Sequence, residues 1–367
     1  MKPRGPLLLC ALALGCTRPA DERTRRELDV GHGTSAALDV NVASGLAVVR
    51  ALTSDSVALW SSAPSIDIEL VTRGARQVTV EVDNAMPLAE LRDAAGAVVA
   101  PASGAGLKRK TWLVSLPDGI SRFRLATPTA GAPGSLRFAL LSDVQEAIDR
   151  VEDVYRVIDR QRDLSFVLSA GDLTEEGEDD QFERFQAELA TLSLPYYTTL
   201  GNHDVAEQSL RYQAWFGRGN FQFVHRGVVF TLIDSASATL DPLAERWLDG
   251  WLAGARNAVH IVATHIPPLD PIGTRNASFS SRAEAAALLA KLAAAGVDLT
   301  LYGHIHSYYS FENAGIPAHV SGGGGARPEH ADDIGRHFVV FDVDAERGVL
   351  RARVVRVDHG EDVDEDE

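Results

Sequence analysis

Between residues 28 and 127, apolar and polar residues alternate with a period of two, the pattern of strands that bury one face and wet the other. The runs 37–42, 56–60, 66–71, 77–82, 112–116 and 121–125 are predicted as strands, with Gly, Pro, Asn, Asp and Ser between them. Short strands at this spacing predict an all-β sandwich of about 100 residues. No catalytic pattern stands in it.

A stretch rich in Pro and Gly, 128–134, reads as a linker, and after it the texture changes. Residues 136–142 predict a strand. Residues 146–160 predict a helix, with Ile148, Val151, Val154, Tyr155 and Ile158 at helical spacing, and 164–170 a second strand, which makes a βαβ unit. The alternation continues with helices over 180–192, 242–255 and 281–295. Further strands are predicted over 196–200, 228–233, 259–264, 299–302, 317–321, 337–342 and 349–356. Helices between apolar strands imply a sheet covered on both faces, with ligands beyond the carboxyl ends of its strands.

Composition changes this picture mainly at the ends. With 367 residues and 45% hydrophobic content, the chain has material for two medium domains. A net charge of -16 argues against a grip on nucleic-acid phosphates, which needs dense Lys and Arg. The acidic run 358–367 is expected to stay solvated and disordered. Residues 1–16 read as an export signal: Lys2 and Arg4, then an apolar stretch from Leu7 to Leu14 too short to span a bilayer. Ala13-Leu14-Gly15-Cys16 resembles a lipoprotein cleavage box, which implies a lipid on Cys16 and an exported protein anchored to a bacterial membrane, periplasmic or at the cell surface. Cys10 and Cys16 are the only cysteines, so the mature chain has no disulfide and no thiol nucleophile. The polar segment 17–27 is expected to be a flexible tether.

Candidate chemistry clusters where the predicted strands of the second domain end. Ser142-Asp143 ends the first, Gly171-Asp172 the second and Gly201-Asn202-His203-Asp204 the third; Thr264-His265 and Gly303-His304-Ile305-His306 end two later ones. One such Asp is usually a helix cap and one such His a hydrogen-bonded surface or core residue. Five clusters of metal-binding types on one sheet edge point to a site.

Their order resembles the calcineurin-like metallophosphoesterase family, whose pattern is Asp-x-His, Gly-Asp, Gly-Asn-His-Asp or Glu, a lone His, and Gly-His-x-His. The resemblance covers 135–357 and extends to Pro267-Pro268, Leu232-Ile233-Asp234-Ser235 and the glycine run 322–325. That run reads as a tight turn beside the site, or alone as a phosphate cradle. The resemblance implies an α/β, four-layer sheet sandwich with helices on both outer faces, preceded here by the smaller all-β sandwich. It also implies a two-metal site that hydrolyses a phosphate ester, monoester or diester. Asp172 would bridge both ions, Asp143 and His306 would complete the first, and Asn202, His265 and His304 the second. A mixed nitrogen and oxygen set suits Mn, Fe or Zn. Two such ions lower the pKa of a bridging water and neutralise the phosphoryl oxygens. His203 would reach the substrate phosphate as a catalytic residue, with Asp204 orienting its ring or capping the next helix.

Two positions depart from the pattern. Gln145 stands where the first motif has histidine, so it either ligates through its amide oxygen, holds a water on the first metal, or leaves that metal weakly bound. Its strongest consequence is an alternative function, a surface-anchored binding protein with a degenerate site. Glu175 stands three positions after the second aspartate, where purple acid phosphatases have tyrosine. The segment 212–224, with Trp215, Phe216, Arg218, Phe221 and Phe223, is a loop expected either to pack or to cover part of the site, with Arg218 as a phosphate ligand. Arg275 and Asn276 are similar candidates.

Overall fold

The structure is a computed structural model that describes residues 19–102, 106–205, 211–273, 277–328, 333–358 and 362–364. The export signal, Cys16, Arg275 and Asn276 lie outside the described residues.

Two small sheets form from the first part of the chain. One contains, in spatial order, His32–Thr34, Leu38–Val42, Ile66–Thr72, Gly119–Ala126 and Glu90–Asp93; the other contains Ala47–Leu52, Ser56–Ser61, Arg76–Asp83 and Lys110–Leu116. The period-two alternation turns Leu38, Val40, Ile68, Leu70, Val78, Val80, Trp112 and Val114 into one shared core.

The rest of the chain builds four layers. One sheet runs Tyr196–Thr198, Leu164–Ser169, Ser135–Leu140, His337–Asp344, Gly348–Arg356 and Asp362–Asp364. The other runs Phe221–His225, Val228–Ile233, His260–Thr264, Leu299–Tyr302, Ile316–Ser321 and Tyr308–Asn313. The strands that lead into the site clusters run parallel to one another within each sheet, and Ser135–Leu140 pairs antiparallel with His337–Asp344 on its other side. Alternate residues of one strand serve different layers. Phe138 and Leu140 face the second sheet; Phe138 stacks 5.7 Å from Phe166 of its own sheet and meets Phe230 of the second edge-on at 5.3 Å. Ala139 and Leu141 face the helices, among Val154, Ile158, Phe182 and Phe185. The other outer face is covered by Leu248 and Leu252 of the helix Pro242–Ala255 and Leu288 and Leu292 of the helix Arg282–Ala295. Both helices start at side-chain caps: Asp241 accepts from Leu243 N–H, Ser281 from Glu284 N–H, and Gly296 closes the second in the left-handed conformation.

Four expectations change. The helix expected over 146–160 opens as a tight 3₁₀ segment, Gln145–Arg150, before the α-helix Glu152–Arg160, because Gln145 N–H is drawn to Asp172 O at 3.3 Å. The aromatic loop over 212–224 is a one-turn helix, Tyr212–Trp215, followed by the strand Phe221–His225. Phe221 and Phe223 enter the intersheet core, and the Arg218 guanidinium lies 5.6 Å over Trp247, so packing accounts for this segment. The segment 17–27, expected as a flexible tether, contains the helix Pro19–Arg26, in which Arg23 and Thr24 are buried. In the tail expected to be disordered, Asp362–Asp364 pairs with the strand Gly348–Arg356.

The sandwich and the larger body meet through specific contacts. Asn84 exchanges hydrogen bonds with the backbone of Tyr196 in both directions at 2.8 Å. Arg50 lies between the rings of Trp60 and Trp215, at 5.5 and 5.0 Å.

Candidate metal centre

Each site residue follows a strand whose last residues are buried, so the chain must turn sharply to bring its polar group back over the sheet edge. Asp143, Gln145, Asp172 and His304 do so with φ of 63°, 46°, 54° and 70°. Left-handed conformations at non-glycine residues cost about 1–3 kcal/mol each, and their grouping here marks a place where local stability is spent on geometry. Gly201 allows the closest approach, since a Cβ there would run into the Asp172 carboxylate.

The turns bring together two overlapping triads, Asp172 with His265 and His304, and Asp143 with Asp172 and His306. Within each, the potential ligand atoms lie within 4.8 Å of one another. Asp172 belongs to both. Its Oδ2 lies 3.2 Å from His265 Nε2 and accepts from Gln145 Nε2 at 2.7 Å, while its Oδ1 accepts the His203 N–H at 2.9 Å. Asn202 Oδ1 lies 3.0 Å from His265 Nε2, and His306 Nε2 lies 3.5 Å from Asp143 Oδ1. The second nitrogen of each ring is held from behind: His265 Nδ1 by Ala170 O at 3.0 Å and His306 Nδ1 by Arg327 O at 2.7 Å. Those carbonyls fix the tautomer that presents Nε2 to the centre.

Asp143, Asp172 and His265 are wholly buried. Burial pushes the Asp143 carboxyl up, His265 and His306 oppose this and nearby Asp172 adds to it, leaving it at about 6. Burial acts on Asp172 in the same direction, but His265 and His203 outweigh it and hold it well below the usual carboxylate range. Burial lowers His265, yet Asp172, Asp143 and Asp204 lift it to about 9. Two buried carboxylates sharing a mixed N and O cluster fit a cation, and the donor set fits a transition metal better than calcium or magnesium.

Gln145 is buried within this cluster, its amide 3.2 Å from His306 Nε2 as well as against Asp172. Asp204 departs from expectation. Its carboxylate accepts from Leu173 N–H, Thr174 N–H, the Thr174 hydroxyl and Gly201 N–H at 2.9–3.1 Å, tying the second and third motifs together. It does not orient His203; that ring is held by Glu175, whose carbonyl accepts from Nδ1 at 2.8 Å and whose carboxylate lies 3.7 Å away. The helix Asp204 was expected to cap would begin in 206–210, outside the described residues. Burial lowers His203 but Asp172 and Glu175 raise it overall, which favours imidazolium. The backbone groups of Ala170, Glu175 and Arg327 carry no signal in side-chain identity, and so were not foreseen.

The glycine run is structural. Gly322 and Gly324 spend their N–H groups on Ser307 O and Ser142 O, and a Cβ at either would meet Ile305 O or Ser142 O. It braces the first and last motifs against each other.

The model of the calcineurin-like phosphoesterase family matches residues 136–308. A 3',5'-cyclic-nucleotide phosphodiesterase of Nostoc sp. strain PCC 7120 is 27% identical over 164 residues, which are 42% of this chain and 60% of that protein. The chain thus matches about 60% of the length of that relative. Among solved structures, GAP50, the anchor in the inner membrane complex of Plasmodium, is similar at a TM-score of 0.47 and 20% identity, covering 62% of this chain and 86% of its own. A dimetal phosphatase from Danio rerio is similar at 0.45 and 14%, covering 60% and 99%. The matched segment runs from the strand before Asp143 through His306, so the part of the larger body that carries every candidate ligand is the part that resembles the calcineurin-like phosphoesterase family.

Proposed function

We propose that this domain hydrolyses a phosphate ester at a two-metal centre, outside the cytoplasm, in a protein anchored by a lipid on Cys16. One observation carries the catalytic reading: two triads of potential ligands share Asp172 within 4.8 Å. The first ion would be held by Asp143, Asp172 and His306, and the second by Asp172, Asn202, His265 and His304. Bound there, two Mn, Fe or Zn ions would supply an activated water and neutralise the phosphoryl oxygens. The residues of the chain do the rest. Ala170 O and Arg327 O aim the imidazoles, and the buried carboxylates balance positive charge. Glu175 O holds His203 Nδ1, leaving Nε2 to give a proton to the leaving oxygen. The similarity to a cyclic-nucleotide phosphodiesterase makes diesters the first substrates to try, beside aryl monoesters.

The test pairs metal analysis with a panel of monoesters and diesters under Mn, Zn and Fe. Alanine at Asp172, Asn202 or His304 should remove metal and turnover together; full activity in Asn202→Ala after exhaustive chelation overturns the reading. Gln145 favours a second reading, a surface binding protein with a degenerate site, which one bound metal and no turnover would support.

A further inference from the structure

Residues 19–27 lie outside the segment matched to the family, yet they are gripped at several points. The Arg23 guanidinium, 2% exposed, reaches both Asp234 oxygens at 2.8 and 3.1 Å and the Ser237 hydroxyl at 3.0 Å. Glu27, fully buried, accepts from Gly219 N–H at 2.8 Å and from the Asn220 side-chain amide at 3.1 Å. Next to Gly219, Arg218 stacks on Trp247 of the helix Pro242–Ala255, against which the N-terminal helix also lies. These grips fall at the carboxyl end of the strand Val228–Ile233, beside the strand His260–Thr264 that leads into His265.

Cys16 stands three residues before Pro19. Three residues of fully extended chain span at most about 11 Å. A flexible linker would let an anchored domain sample many orientations; here the first docked residue follows the proposed lipid site almost at once. We infer that the N-terminal helix is a rigid mount, holding the phosphoesterase body in one orientation against a bilayer, with exposed Leu28 and half-buried Trp247 on the face turned to the lipid. Leu and Trp at the rim of such a face suit the headgroup region. Because the mount grips the edge that carries the metal ligands, it also sets the height of the site above the membrane.

The inference rests on the lipid anchor of the proposed function, and the experiment separates the two. The mature chain has no cysteine besides Cys16, so one dye can be placed by Arg25→Cys on the mount or by Glu346→Cys. Glu346 is exposed in the turn beside Ser135, at the other end of a strand of roughly 20 Å. On vesicles of phosphatidylethanolamine and phosphatidylglycerol carrying an acceptor-labelled headgroup, energy transfer from position 25 should exceed that from 346 severalfold. A flexible Gly-Ser linker of about twenty residues between Arg18 and Pro19 should level the two. Lipidated protein with equal transfer at both positions, or with a difference that survives the linker, overturns the mount alone. A Cys16→Ser chain that stays on the vesicles, or no lipid on Cys16, overturns the anchor and the mount with it.

Discussion

His203 and Gln145 are where single side chains have the clearest consequences. His203 is raised by Asp172 and Glu175 and is half-buried at the cluster, so His203→Ala should cost about 10²–10⁴ in turnover, with metal content unchanged by mass spectrometry. Asp204→Ala should act differently, because Asp204 holds four donors and not the His203 ring; unfolding by denaturant should show a loss of about 2–4 kcal/mol. Gln145 puts an amide between Asp172 and His306, a weaker donor for a transition metal than the imidazole usual in the family. Gln145→His should raise the metal bound per chain toward two, read by elemental analysis after dialysis; an unchanged ratio would mean that this position lies outside the coordination shell. The metal residues were legible as sequence because each follows an apolar run and sits in a spaced motif. The groups that aim them, Ala170 O, Glu175 O and Arg327 O, were not, since any residue offers a carbonyl and only the fold decides which one faces a ring.

Among elements, the N-terminal helix behaves least as its composition implies. A segment as polar as Pro19-Ala20-Asp21-Glu22-Arg23 reads as solvated chain, and no periodicity marks it as docked. It docks because Asp234 and the Gly219–Asn220 backbone, 192 to 211 residues later, complete a charge pair and a set of hydrogen bonds that local sequence cannot announce. Removing one side of this buried pair, as in Arg23→Ala, should cost about 3–5 kcal/mol in a denaturant titration, whereas Arg23→Met with Asp234→Leu should recover much of it. Burial, then Asp234, pushes the Glu27 carboxyl up to about 8 against the hydrogen bonds of Gly219 and Asn220 and the charge of Arg218. A carboxyl raised in the folded state contributes stability that is complete below its unfolded pKa and is lost as pH rises through the folded one. Stability of the native chain should therefore fall between about pH 4.5 and 8, and Glu27→Gln should flatten that part of the profile. The strand Phe221–His225 depends on its turn. Its aromatic residues read as part of a loop over 212–224; Arg226 and Gly227, both at positive φ, form the hairpin turn that makes it a strand.

At the scale of the molecule, the candidate metal centre joins both sheets, with its proposed ligands following strands of each, so bound metal should stabilise the whole chain. Chelation should lower the thermal midpoint and excess Mn restore it in a concentration-dependent way, as linkage requires. The sandwich and the N-terminal helix are tied to the phosphoesterase body by Asn84 and Tyr196, by Arg50 between two tryptophans, and by Arg23 and Glu27. Local alternation, and motifs read within a few residues, carry the strand and helix periodicities, the resemblance to the phosphoesterase family and the types of the candidate ligands. That Glu175 and not Asp204 holds His203, that the glycine run braces the site, and that residues 19–27 are docked emerges only in the folded chain. Each of these depends on partners from distant segments, and burial gives their hydrogen bonds and charges a strength they lack in water.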